Sequence, residues 1–297
     1  MSGPADPVDV VAAWEATGTL VDAGEHRVWV RDAEAAEDRG LDPFLVLHGF
    51  PSCSFDWRHV LDRLRATRRV VLVDFLGFGL SDKPDQRYSL RGQADVVEAA
   101  VAHLGIERVT LLTHDMGDSV GGELLARDLD DDLGFGVSAR VLTNGSIYID
   151  MAQLTDGQQL LLALPDEHND LLGADGGDAF RRGLAATFSS ANPADEEELA
   201  CQWKLVARQD GPALLPRTIR YIEDRRAEER RFTGGIEDHP SPLGVVWGAD
   251  DPVAVHAMTG RLLEVRPDAE LITLDAVGHY PMIEAPGPFA DAVDRLL

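Results

Sequence analysis

The sequence predicts an α/β fold, a mostly parallel sheet covered by helices on both faces and interrupted once by a helical insertion. Three observations carry this. Short β-branched and leucine-rich runs alternate with amphipathic segments early in the chain and again near its C-terminus. Between residues 146 and 240 no convincing buried strand occurs, only helical segments separated by breakers. Residues 109–117, VTLLTHDMG, run from a β-rich stretch into a tight turn, and a helix-compatible stretch leaves it. The 297 residues, 44% of them hydrophobic, can bury a core of that size. The predicted organisation is a core over 1–145, a helical cap over 146–240, and the rest of the core over 241–297.

In chain order, Thr19–Val21 and His26–Arg31 are predicted to pair antiparallel across Ala23-Gly24-Glu25. Phe44–His48 is a short buried strand. Phe55–Leu64 is a predicted helix with Trp57, Val60, Leu61 and Leu64 on one face. Arg69–Phe75 is a strand and Leu90–Leu104 a helix. Val109–Thr113 is the strand before the turn, Ser119–Arg127 the helix after it, and Ala139–Thr143 a further strand. The insertion holds predicted helices at Ala152–Leu164, Asp178–Phe188, Ala194–Arg208 and Arg217–Arg231, with Gly173, Gly176, Gly177, Pro193, Gly211, Pro212 and Pro216 between them. Strands return at Leu243–Trp247 and Glu270–Leu274, and helices at Met258–Val265 and Pro288–Leu297.

With 27 Lys+Arg against 52 Asp+Glu, the formal net charge is −25. Such a surface repels nucleic acid and anionic membranes, and it disfavours anionic substrates. A small neutral organic substrate and water are the expected partners, with the chain a monomer or homodimer. The opening residues, MSGPADPVDVVAAWEATG, lack a basic segment followed by an apolar run, and no stretch approaches a membrane span. Cys53 and Cys201 lie far apart, without metal-binding spacing. The expectation is a reduced, cytoplasmic protein that needs neither metal nor cofactor.

Three residues stand where chemistry requires them. Asp115 occupies the tight turn, Asp251 follows one buried strand in VVWGADDPV, and His279 follows the next in DAVGHYPMIEAP. Active sites of open α/β sheets form at the carboxyl ends of strands. The order nucleophile, acid, histidine is that of a nucleophile-elbow hydrolase. Singly, each has a plainer role as an Asx-turn, a cap or a packed histidine; together, in order, they form a catalytic set. A carboxylate at the elbow attacks saturated carbon bearing a leaving group and forms an ester, which water must then cleave. Attack on an ordinary ester would give a mixed anhydride instead. His279 would activate the water and Asp251 would orient its imidazole, with Asp250 as the alternative acid. The backbone N–H groups of Phe50 and Met116 are the expected oxyanion donors. His48 and His114 are read as loop-holding residues, and GFGLSD at 77–82 as a tight turn rather than a phosphate loop.

The stretches LVLHGFPSCSFDWR (45–58), VVLVDFLGFGLSDKP (70–84), LLTHDMGD (111–118), LTNGSI (142–147), VVWGADDPV (245–253) and GHYP (278–281) resemble the α/β-hydrolase superfamily. The likeness falls in the branch of epoxide hydrolases and haloalkane dehalogenases, nearest the mesoderm-specific transcript proteins and their bacterial relatives. It implies an eight-stranded sheet, a helical cap and a cofactor-free Asp–His–acid hydrolase. Dehalogenases of the branch usually carry tryptophan after the nucleophile and Asn or Glu after the His-Gly; Met116 and Phe50 stand there, and neither side chain offers an N–H. Epoxide hydrolases commonly protonate the nascent alkoxide with two cap tyrosines. Tyr221, within the cap-like stretch RTIRYIEDR (217–225), and Tyr148 are the candidates, while Tyr280 is assigned to packing.

The leading expectation is therefore an epoxide hydrolase. One alternative is a haloalkane dehalogenase in which Trp203 supplies an N–H to the halide. Another is a hydrolase fold recruited as a binding or signalling module, motivated by Asp118 at the elbow. That second carboxylate either raises the Asp115 pKa by burial beside it or faces a solvated helix flank.

Overall fold

Every residue of β3 (Phe44–Leu47) is buried, and so is every residue of β4 (Val70–Val73), as expected of strands covered on both faces. Side chains alternate across the sheet. Leu45, Leu47, Val71, Val73 and Leu111 face one hydrophobic cluster, and Phe44, Val46, Val70, Leu72 and Leu112 face the other. The sheet exists because it is the only surface that lets both sets leave water.

The computed structural model describes residues 6–297. Its eight-stranded sheet has the order β1-β2-β4-β3-β5-β6-β7-β8. Strands β1 (Thr19–Ala23) and β2 (His26–Ala33) are antiparallel, and β2 also meets β4 antiparallel. The remaining pairs, through β5 (Arg108–His114), β6 (Gly136–Thr143), β7 (Leu243–Gly248) and β8 (Glu270–Leu274), are parallel. Register places His114 opposite Thr143 and Gly248 opposite Leu274. The carboxyl ends of β5, β6 and β7 therefore converge on one edge.

The helices are α1 (Pro7–Glu15), α2 (Leu61–Leu64), α3 (Leu90–His103), α4 (Met116–Leu129), α5 (Asp156–Ala163), α6 (Asp178–Ala185), α7 (Glu196–Val206), α8 (Leu215–Thr218), α9 (Tyr221–Ala227), α10 (Glu229–Asp238), α11 (Ala257–Val265), α12 (Pro281–Glu284) and α13 (Pro286–Leu296). None is long and apolar enough to cross a membrane among the described residues. Three differ from expectation. The predicted helix at Phe55–Leu64 is a 3₁₀ turn over Ser54–Trp57 followed by α2. The Asp74 carboxylate holds both the N–H and the hydroxyl of Ser54, at 2.8 and 2.5 Å, and pins the chain into the tighter turn. The predicted helix at Arg217–Arg231 is divided into α8, α9 and α10, with Glu228 (φ −129°, ψ 37°) outside helical space. Helix α1 had no sequence counterpart; the Asp6 carboxylate caps it at the Val8 N–H, 2.8 Å, and buries Val11 and Trp14.

Helix α10 runs on through Gly234-Gly235 because glycine here serves packing. A Cβ on Gly235 would stand 2.1 Å from the carbonyl oxygen of Gly122 in α4, and one on Gly122 would stand 2.3 Å from that of Phe232. The two helices touch backbone to backbone, so the helical insertion returns against the helix that follows the elbow.

Candidate active site

Strand β5 ends at His114, and the next residue turns sharply. Asp115 has φ 51° and ψ −114°, a conformation that non-glycine residues adopt only where surrounding structure enforces it. Enforcement comes from close packing. A Cβ on Gly117 would lie 2.5 Å from the Leu47 carbonyl oxygen, and one on Gly49 would lie 2.6 Å from the Asp115 Cβ. Bare backbone on both sides lets the turn sit against the end of β3.

The bend aims the Asp115 carboxyl at two backbone donors. The Phe50 N–H donates to Oδ2 at 2.8 Å, and the Met116 N–H, next along the chain, lies beside the carboxyl. Burial raises its pKa, against the charge of His279, these two N–H groups and the charge of Arg225.

On the other side stands His279. Its Nδ1 donates to Asp251 Oδ2 at 2.8 Å, which leaves Nε2 facing Asp115 Oδ1 at 3.9 Å. That separation exceeds a hydrogen bond, so Nε2 is not committed to the carboxyl. Burial alone would lower the His279 pKa; the charge and hydrogen bond of Asp251 and the charge of Asp115 overcome it and raise it to about 9. Asp251, not the exposed Asp250, is the carboxylate that meets His279. Its Oδ1 accepts from the N–H groups of Val253 and Ala254 at 2.7 and 3.0 Å, and its Oδ2 also accepts from Asn144 Nδ2 at 2.7 Å.

Asp115, Asp251 and His279, which follow β5, β7 and β8, thus come together at the carboxyl ends of the parallel strands. A model of the alpha/beta hydrolase family matches residues 44–292. The chain belongs to the alpha/beta hydrolase family. The Mycobacterium tuberculosis protein LipZ is 41% identical over 97% of this hydrolase and 98% of its own length. The mesoderm-specific transcript homolog protein of Homo sapiens is 30% identical over 94% of this chain and 85% of its own. The cis-3-alkyl-4-alkyloxetan-2-one decarboxylase of Shewanella oneidensis is 34% identical over 82% and 78%. The family and the mesoderm-specific transcript likeness read from the sequence both hold.

Above the site of this hydrolase lies a cavity of about 190 Å³, floored by Phe50, His279 and Tyr280 and walled by α5, α6 and α7. Its lining holds no lysine or arginine. For scale, an apolar cavity of about 150 Å³ accommodates benzene. Trp203 is on this wall, packed on Phe180 with ring centroids 5.6 Å apart. Tyr221 is buried, packs on Phe50 at 5.7 Å, stands beside Gln158, and has its pKa raised by burial and then by the charge of Asp115.

Tyr148 is a correction. Its hydroxyl donates to Glu237 Oε1 at 3.0 Å and its ring lies under the Arg261 guanidinium at 4.0 Å, so it faces α10 and α11 and is spent there. It follows β6 but takes no part in the cavity lining.

His48 and His114 hold loops, as read. His48 donates to the Gly49 carbonyl at 2.8 Å and accepts the Phe75 N–H at 3.0 Å, and burial lowers its pKa to about 3. His114 bonds to the His279 carbonyl at 2.8 Å. Asp118 is buried beside the nucleophile, not on a solvated flank. Thr113 donates to its Oδ1, Oδ2 has no partner among the described residues, and burial drives its pKa well above the carboxylate range.

Two residues escaped sequence reasoning. Asn144, at φ 48°, ties the Asp251 loop to the His279 loop through Asp251, the Gly248 N–H (2.9 Å) and the Gly278 carbonyl (3.3 Å). Arg225, buried one turn after Tyr221 on α9, is the cap cation whose charge reaches Asp115, Asp118 and Tyr221. The only signal for it was the 217–225 likeness, which pointed to its helix and not to its charge.

Proposed function

We propose that this hydrolase opens neutral epoxides through an ester on Asp115, which His279-activated water then hydrolyses. The observation that carries the reading is a carboxylate at the elbow with one oxygen bound by Phe50 N–H and the other facing His279. Oδ1 attacks a ring carbon, and Oδ2 remains in the backbone donor site as the ester carbonyl. Water then adds to the carboxyl carbon, its proton goes to Nε2, and the charge that develops on Oδ2 meets donors already in place. Alkylation also removes the negative charge of Asp115, one of the charges holding His279 protonated, so the first step prepares the base for the second. Tyr221 is the candidate proton donor to the opened oxygen. The lining without lysine or arginine and the net charge of −25 both favour a neutral substrate.

A second reading is favoured by the Shewanella relative, whose name gives an oxetan-2-one, a strained four-membered lactone, as substrate. The same attack on the ring carbon bearing oxygen would open it. The dehalogenase reading has Trp203 on the cavity wall in its favour and the Met116 and Phe50 side chains against it.

Quenched single-turnover mass spectrometry with styrene oxide tests the proposal. His279→Ala is expected to accumulate a mass increment on the Asp115 peptide. Absence of any adduct with epoxides, alongside carbon dioxide release from a 3,4-dialkyl-oxetan-2-one or halide release from a bromoalkane that depends on Trp203, would transfer the assignment to that substrate.

A further inference from the structure

Removing Tyr148 leaves the opened oxygen with one proton donor, Tyr221. The cavity floor carries another phenol. Tyr280 lies there beside His279 and is held rigidly, stacked on Phe188 at 5.1 Å and 19° and set edge-on to His279 at 5.0 Å. A phenylalanine would fill that slot equally well, so packing does not account for the hydroxyl.

What lies behind it does. The phenol stands next to the Ser52 hydroxyl. Ser52 Oγ is 2.5 Å from Asp56 Oδ2, and Asp56 Oδ1 accepts from Gln202 Nε2 of α7 at 2.7 Å. Asp56 is fully buried and neither of these partners is a cation. A carboxylate placed so pays desolvation with little return. Its pKa is raised to about 7, by burial first, against the Ser52 and Gln202 bonds, with Glu198 raising it and Arg58 lowering it. Cys53 and Tyr280 also feel its charge. A buried acid that holds its proton near neutrality therefore backs onto the cavity through one hydroxyl.

We propose that Tyr280 is a second catalytic acid, donating to the substrate oxygen and recharged from Asp56 through Ser52. This rests on the epoxide reading. As the Oδ1–carbon bond forms, the ring carbon–oxygen bond breaks and its electron pair stays on oxygen. That oxygen takes the Tyr280 proton, Tyr280 takes the Ser52 proton, and Ser52 takes the Asp56 proton. In the second step one proton of the attacking water passes through His279 to the departing product oxygen. The other is left on the Asp115 carboxyl, which ionises and returns it to Asp56 by way of solvent.

An acid of this kind acts on ring opening and not on ester hydrolysis, so following the Asp115 ester by quenched-flow mass spectrometry with styrene oxide separates it from a structural role. Tyr280→Phe is expected to slow ester formation about 10²-fold while leaving ester decay unchanged. Ser52→Ala is expected to slow formation too and to abolish its decline as pH rises through about 7. Unchanged formation in Tyr280→Phe, or formation and decay slowed together, overturns the proposal and spares the epoxide reading. Should Tyr280→Phe fail to fold, Ser52→Ala decides alone, and retention of the pH decline overturns it. No ester in the wild-type protein or in His279→Ala overturns both.

Discussion

At the scale of single residues, the two Asp115 oxygens are not equivalent. Oδ2 is held by backbone N–H and Oδ1 faces the base. In the proposed mechanism, hydrolysis at the carboxyl carbon sends Oδ1 out with the product and leaves a water oxygen behind. A single turnover in H₂¹⁸O is therefore expected to label the Asp115 peptide and not the product, and label in the product alone would mean direct attack by water on the substrate. The pH dependence follows from charge. Against burial, the charge of Asp251 and then that of Asp115 raise the His279 pKa to about 9. Once Asp115 is esterified that contribution disappears, so ester decay should rise with pH with a midpoint below the free-enzyme value read by NMR. Equal midpoints would deny the coupling. The clustering of Asp115, Asp251 and His279 was legible because each lies shortly after a strand of the parallel sheet. Asn144 and Arg225 were not, since their roles come from loops and helices distant in sequence.

At the scale of elements, the strands β3, β4 and β7 were read nearly to the residue because each is a continuous apolar run with no competing period. Helices fared less well where tertiary contacts override local preference, as Asp74 does at Ser54 and Gly122 does at Gly235. Helix α7 shows the same dependence. Its carboxyl end is closed by a core residue: Lys83 Nζ donates to the carbonyls of Leu205, Val206 and Arg208 at 2.8, 3.2 and 3.0 Å. Lys83→Met should leave these acceptors short of partners and cost about 1–3 kcal/mol. Hydrogen exchange is expected to rise at 205–214 and at Trp203 more than in β5. Uniform exchange across the molecule would mean that the lysine does not fasten the cap.

For the whole molecule, stability resides in the doubly covered sheet. Leu112 and Val46 are fully buried on one face, with the catalytic turn directly after β5. Leu112→Ala should cost about 2–5 kcal/mol, measured by urea unfolding, and should reduce folded protein before it alters the chemistry per folded molecule. A loss below that range would show that the neighbouring side chains collapse into the space. The overall order of sheet and insertion was visible in sequence because it depends only on where apolar runs occur. The cavity was not, because its wall combines residues from α5, α6 and α7 whose spacing carries no common period.

The Phe50 backbone donor is already engaged by the enzyme's own carboxyl group before anything arrives. An incoming acyl compound would find the cradle for its oxygen taken and could not be polarised there. Selectivity against common esters and amides is thus built in as prior occupancy, and released carboxylic acids should be poor inhibitors for the same reason.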